Sequence, residues 1–133
     1  MIEISHIDHV VYRVVNVDKV IAFYETVMGA TMEKVRPEIG LYQLRLGNAL
    51  VDLVPFDGKL GSERGGRPDT ESANVDHICF RVDPWDENAL MRHLQSHGIQ
   101  CQVARRYGAD GYGPSIYISD PEGNQIELKG PPE

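Results

Sequence analysis

The sequence predicts an α+β protein of two tandem βαβββ modules, with mixed sheets and the helices on the outside. Two observations predict it. Ile7-Asp8-His9-Val10-Val11-Tyr12-Arg13-Val14 returns as Val75-Asp76-His77-Ile78-Cys79-Phe80-Arg81-Val82. Both copies read apolar, Asp, His, apolar, any residue, aromatic, Arg, Val, and an internal repeat constrains the architecture before any single motif does. The module ends match as well. Gly47-Asn48-Ala49-Leu50-Val51-Asp52-Leu53 parallels Gly123-Asn124-Gln125-Ile126-Glu127-Leu128, each with an acid flanked by aliphatic residues.

The elements follow in order. Residues 4–15 favour a strand, because β-branched residues dominate and no breaker intervenes. Asn16 or Asp18 can cap the next helix and Gly29 can end it. Within it Val20, Phe23, Tyr24, Val27 and Met28 keep the spacing of one buried stripe. Residues 31–35, 41–46 and 49–54 then read as strands, with Gly40 and Gly47-Asn48 at the turns. In the second module the strand is 74–82 and the helix 86–97, with Leu90, Met91 and Leu94 on its stripe. A strand over 100–104 precedes a glycine-rich loop over 105–114. Residues 115–119 and 124–129 pair as a hairpin across Asp120-Pro121-Glu122-Gly123.

The whole chain of 133 residues reads as a single domain, with modules at 4–56 and 74–130 and a linker at 57–73 that is rich in glycine and charge. A chain this long buries enough surface to need no disulfide staples. Cys79 and Cys101 form no CxxC pattern and read as reduced thiols. A net charge of -7 argues against nucleic acid or an anionic membrane as partner and suits a small-molecule or metal role. The N-terminus has no basic region followed by an apolar core, and no apolar run reaches the length of a membrane helix. A cytoplasmic protein is expected.

Side chains alternate faces along a strand. Val10, Tyr12 and Val14, and Ile78, Phe80 and Val82, share the helix-side faces, with Val51, Leu53, Ile126 and Leu128 in the last strands. The opposite faces then hold His9, Asp52, His77 and Glu127. If the two sheets curl toward each other, the four meet in a shared cup. Two imidazoles and one or two carboxylates suit Zn, Ni, Co, Fe(II) or Mn. Asp is one methylene shorter than Glu, so Asp52 is a ligand, a general base or neither. Arg13 and Arg81, four residues beyond each histidine on the same face, pair with an anionic substrate or with buried acids. Cys79 lies on the cup face as a packed thiol, and His6, His93 and His97 read as surface residues.

These residues resemble the vicinal oxygen chelate superfamily of glyoxalase I, fosfomycin-resistance thiol transferases, bleomycin-resistance proteins and extradiol dioxygenases. Asp8-His9-Val10, Phe23-Tyr24, Asp76-His77 and Asp120-Pro121-Glu122-Gly123-Asn124-Gln125-Ile126-Glu127-Leu128 carry the resemblance, which spans essentially the whole chain. It implies paired βαβββ modules in a curved, cup-shaped mixed sheet, a homodimer, and His9, His77 and Glu127 as metal ligands. Asp52 stands where glyoxalase I has a glutamate that is both ligand and base. Arg13 resembles a glutathione-contacting arginine of bacterial glyoxalase I, which implies substrate binding by Arg13 and a thiol-conjugate substrate. The reading is a metal-dependent lyase or isomerase of glyoxalase type, with Asp52 or Glu127 shuttling a proton. A fosfomycin-type thiol transferase, an Fe(II) extradiol dioxygenase and a non-catalytic drug-binding protein are the alternatives.

Overall fold

The computed structural model describes residues 1–67 and 73–133. The chain divides into two units, with the boundary between residues 69 and 70. Each unit is a βαβββ module with one open, mixed four-stranded sheet, as the repeat predicts.

In unit 1, β1 (His9–Val14) leads into α1 (Val17–Thr26), then β2 (Thr31–Arg36), a 3-10 turn (Pro37–Ile39), β3 (Leu41–Leu46) and β4 (Ala49–Pro55). The sheet order is β1-β4-β3-β2, with β1 parallel to β4 and the rest antiparallel. Asn16 rather than Asp18 caps α1, its side chain accepting from the Lys19 amide at 3.1 Å. Val14, Val20, Tyr24, Leu44, Val51 and Leu53 are fully buried and form the core. The register sets Val10 beside Val51 and Tyr12 beside Leu53, so the apolar face is continuous across strands.

The first strand is shorter than residues 4–15. It begins at His9 because β4 offers its first partner there: Leu50 donates its amide to the Asp8 carbonyl and pairs with His9. Among the described residues no strand pairs with residues 1–7, and Ile2, Ile4 and Ile7 stay exposed. Propensity alone does not make a strand where no ladder partner exists.

In unit 2, β5 (His77–Arg81) and α2 (Glu87–Ser96) are followed by β6 (Val103–Gly108), β7 (Gly111–Ser119) and β8 (Gln125–Lys129). The order β5-β8-β7-β6 repeats that of unit 1, again with the first and last strands parallel. Asp86 caps α2 through the Ala89 amide at 2.9 Å. Leu94, Ile116 and Ile126 are fully buried.

The loop expected over 105–114 is instead a paired hairpin. Tyr107 faces Tyr112 and Gly108 faces Gly111 across a two-residue turn, Ala109-Asp110. The two tyrosine rings meet edge to face at 5.0 Å, a favourable cross-strand pair. Residues 57–64 of the expected linker form turns within unit 1, where the Leu60 amide donates to the Ile39 carbonyl. A side chain at Gly61 has no room: its Cβ lands 1.8 Å from the Pro55 carbonyl oxygen. The rest of that stretch, 68–72, lies outside the described residues. No helix among the described residues is long and apolar enough to cross a membrane.

Candidate functional site

Each unit sets one histidine and one acid on the sheet face opposite its core. In unit 1 Asp52 is on β4, one residue out of phase with Val51 and Leu53, and it pairs with Val11 of β1 and Gln43 of β3. His9 starts β1 on the same face, beside Leu50. Asp52 is buried at 4% exposure, and Gln43 donates to its Oδ2 at 3.2 Å. Its Oδ1 is buried with no hydrogen-bond partner among the described residues. A buried carboxylate oxygen without a donor is costly, so this atom is set up to receive something else.

In unit 2 His77 and Glu127 are in direct contact, Nε2 to Oε2 at 3.1 Å. Glu127 is 6% exposed. Its other oxygen, Oε1, accepts the Ser115 hydroxyl at 2.6 Å. Burial pushes the carboxyl up, yet the Ser115 and Tyr117 hydroxyls and the His77 charge outweigh it and hold the group below its ordinary value. Tyr117 lies directly across the sheet from Glu127 and its ring meets His77 edge to face at 5.6 Å. Gln43 has the equivalent place in unit 1, across from Asp52.

The aspartate before each histidine has a local role. His9 Nδ1 donates to Asp8 at 2.7 Å, and His77 Nδ1 donates to Asp76 at 2.7 Å. Both imidazoles are raised above their ordinary value. The aspartate bond is the main cause in each, with burial opposing, and the charge of Asp52 or Glu127 adds to it. With Nδ1 committed to a carboxylate, Nε2 is the nitrogen left for chemistry. In His77 that nitrogen faces a second carboxylate, so a proton there is held between two acids. A divalent cation would take the same place on the same electrostatic grounds.

Within each unit the donors fit a metal in kind: in unit 2 an imidazole and a buried carboxylate ordered by hydrogen bonds, in unit 1 an imidazole and a buried carboxylate with one oxygen unpartnered among the described residues. Among the described residues, no three His, Cys, Asp or Glu side chains converge to hold an ion. Each unit contributes a pair.

Arg13 is half-buried over the Phe56 ring, 4.9 Å from its centre, and its Nη1 donates to the Gly65 carbonyl at 2.9 Å. Arg81 pairs with Asp110 of the β6–β7 turn at 2.9 Å. Neither arginine meets a buried acid among the described residues: Asp110 is exposed, and Arg13 is held by backbone and ring. The Cys79 thiol hydrogen-bonds Glu127 and is pushed up to about 11, first by desolvation and then by the Glu127 charge, although the residue as a whole is exposed. The rings of His93 and His97, at the C-terminal end of α2, meet tilted by 59° with centroids 4.7 Å apart.

Ser115, Tyr117 and Gln43 escape a reading of the sequence alone. Strand alternation gives the face, but the cross-strand register that sets them beside the acids depends on turn lengths.

The sequence pattern described as the Glyoxalase/Bleomycin resistance protein/Dioxygenase superfamily matches residues 6–128. The glyoxalase domain-containing protein RDO1 of Mycosarcoma maydis is 32% identical over 129 residues, covering 96% of this chain and 69% of that protein. The virulence protein STM3117 of Salmonella typhimurium is 30% identical over 132 residues, covering 94% of this chain and 83% of that protein. Its crystal structure superposes with a TM-score of 0.77 at 26% identity, over 98% and 99% of the two chains. The lactoylglutathione lyase structure from Agrobacterium tumefaciens matches with a TM-score of 0.67 at 22% identity, over 95% and 93% of the two chains. The fosfomycin resistance protein FosX of Listeria monocytogenes, in complex with Mn(II), matches at 0.68 and 16%, over 96% and 90%. The last two are likenesses of fold.

Proposed function

The chain belongs to the Glyoxalase/Bleomycin resistance protein/Dioxygenase superfamily, and from that premise we propose that it is a metal-dependent lyase or isomerase of glyoxalase type acting on a small molecule. The observation that carries this reading is repeated in both units: an imidazole and a buried carboxylate on the sheet face away from the core. His9, His77, Glu127 and Asp52 are the side chains that would hold a divalent ion, Zn, Ni, Co, Mn or Fe(II). When bound, the ion supplies Lewis acidity toward two neighbouring substrate oxygens.

The chain's own groups do the rest. Asp8 and Asp76 fix the tautomer of each histidine. Both oxygens of Glu127 are engaged, whereas Oδ1 of Asp52 is not. Asp52 is therefore the better placed of the two acids to take a proton from a substrate carbon and return it to the adjacent one, a step that needs no outside oxidant or reductant. Arg13 is held in place by Gly65 and Phe56 and has N–H groups left for the carboxylate of a thiol conjugate. In this reading the protein is a cytoplasmic homodimer whose only other partner is its substrate.

The test is metal analysis of protein purified without chelators, then assay of the methylglyoxal–glutathione hemithioacetal with Ni, Zn, Co and Mn. Turnover that His77→Ala abolishes is the expected result. No turnover with any of the four metals, in protein that binds metal, moves the assignment to thiol transfer onto an epoxide, for which the fold likeness to the Mn(II)-bound FosX is the motive. Oxygen uptake with Fe(II) and a catechol points to a dioxygenase instead. Protein without stoichiometric metal, unaffected by His77→Ala, leaves a non-catalytic drug-binding role.

A further inference from the structure

Lys129 is 4% exposed, on the same face of β8 as Glu127. A buried ammonium is costly unless its three donors are matched. Here they are matched by neutral acceptors: Nζ donates to the Arg106 carbonyl, to the Gly113 carbonyl at 3.4 Å and to the Ser115 hydroxyl oxygen at 3.4 Å. The space is built for this side chain. A Cβ on Gly108 would lie 2.7 Å from Lys129 Cε and 3.0 Å from Cδ.

The Ser115 hydroxyl has one proton. Lys129 cannot accept it, and donates to the same oxygen. The proton is therefore directed at Glu127 Oε1, where the 2.6 Å contact is found. A hydroxyl that receives a charge-assisted bond is also a stronger donor. With Oε1 fixed, Oε2 is the oxygen presented to His77 Nε2. The ordered chain runs Lys129, Ser115, Glu127, His77, Asp76.

Unit 1 provides the contrast. The residue two beyond its acid is Val54, and the residue two before Gln43 is Leu41. Neither can donate. There the acid has an oxygen without a partner among the described residues, whereas in unit 2 both oxygens are taken.

We propose that Lys129 is a positioning residue that, through Ser115, locks the Glu127 carboxylate in the orientation needed to serve as a metal ligand beside His77. The metal role of Glu127 rests on the function proposed above; the locking does not. Two measurements on the full chain separate them. The first is Co(II) binding by calorimetry and visible absorption. Wild type binds, Lys129→Met and Ser115→Ala each weaken binding about 10- to 100-fold, and the double variant is no worse than Ser115→Ala alone. Unchanged affinity in Lys129→Met, or additive losses in the double variant, would overturn the proposal, because a merely structural lysine lowers the melting temperature without moving the Co(II) affinity.

The second measurement is the crystal structure of metal-free Lys129→Met. Glu127 should leave His77 and its Ser115 contact should lengthen; an unchanged carboxylate sinks the proposal even if wild type binds no Co(II). Absence of Co(II) binding by wild type refutes the metal reading alone. Should Lys129→Met fail to fold, Lys129→Gln, which keeps donors at reduced reach, takes both measurements with an intermediate effect expected.

Discussion

Asp8 and Asp76 give the two histidines a pH signature whose sign follows from the direction of their shifts. Both imidazoles are raised in the folded chain. A raised histidine contributes stability that is fully present below its unfolded value of about 6.5 and is lost as pH rises through the folded value. The melting temperature of metal-free protein should therefore fall as pH rises above about 6.5, and Asp76→Asn should flatten part of that fall in melts followed by circular dichroism. A pH-independent melting temperature sinks this. Under the proposed function a metal competes with the same protons, so affinity for a divalent ion should climb as pH rises. Cys79 gives a second check. With its thiol pushed up to about 11, alkylation by iodoacetamide should keep accelerating well past pH 9, and a plateau near pH 8 contradicts the assignment. At this scale the repeat makes His9, His77, Asp52 and Glu127 legible, because alternation puts all four opposite the core residues. Ser115 and Lys129 are not legible, since their meaning depends on which atoms face which across the sheet.

The elements show where local signals suffice and where they do not. The helix caps are readable, and Asn16→Ala and Asp86→Ala should each cost about 1 kcal/mol, seen as a melting temperature lower by a few degrees. The β6–β7 hairpin is the opposite case. Its two turn residues are Ala109-Asp110, neither at positive φ, and Gly111 follows them at φ 122°, so the turn lacks the two-residue Asn-Gly or Asp-Gly signal and is easily lost among the neighbouring glycines. The first strand is over-read for the converse reason: residues 4–7 have the composition of a strand but no partner for its ladder among the described residues. The turns after β4 carry a demand that no propensity reveals. With the Pro55 carbonyl 1.8 Å from where its Cβ would be, Gly61→Ala should force a backbone shift and destabilise unit 1 by about 2 kcal/mol or more. Chemical denaturation measures it, and a loss under about 0.5 kcal/mol shows that the turn yields easily.

The whole molecule repeats one plan, and the sequence announces it because both copies retain the strand that begins with the histidine. Under the proposed function, a metal at about a hundred times its dissociation constant adds about 2.7 kcal/mol of stability. His9→Ala and His77→Ala should each abolish that gain in thermal melts with and without Zn or Mn. A full gain in His9→Ala confines binding to unit 2. What the repeat does not carry is the difference between its copies, Val54 against Lys129 and Leu41 against Ser115. The parallel pairing also bears on folding kinetics. β1 finds β4, and β5 finds β8, only about 40 to 50 residues later in the chain, whereas the other strand pairs join neighbours in sequence. Loop-closure entropy makes those two pairings the slow ones. Each histidine is on one side of such a joint and its acid on the other, so the chemistry is assembled at the last step of each unit, and capture of metal during refolding should lag behind the recovery of helix and hairpin signals.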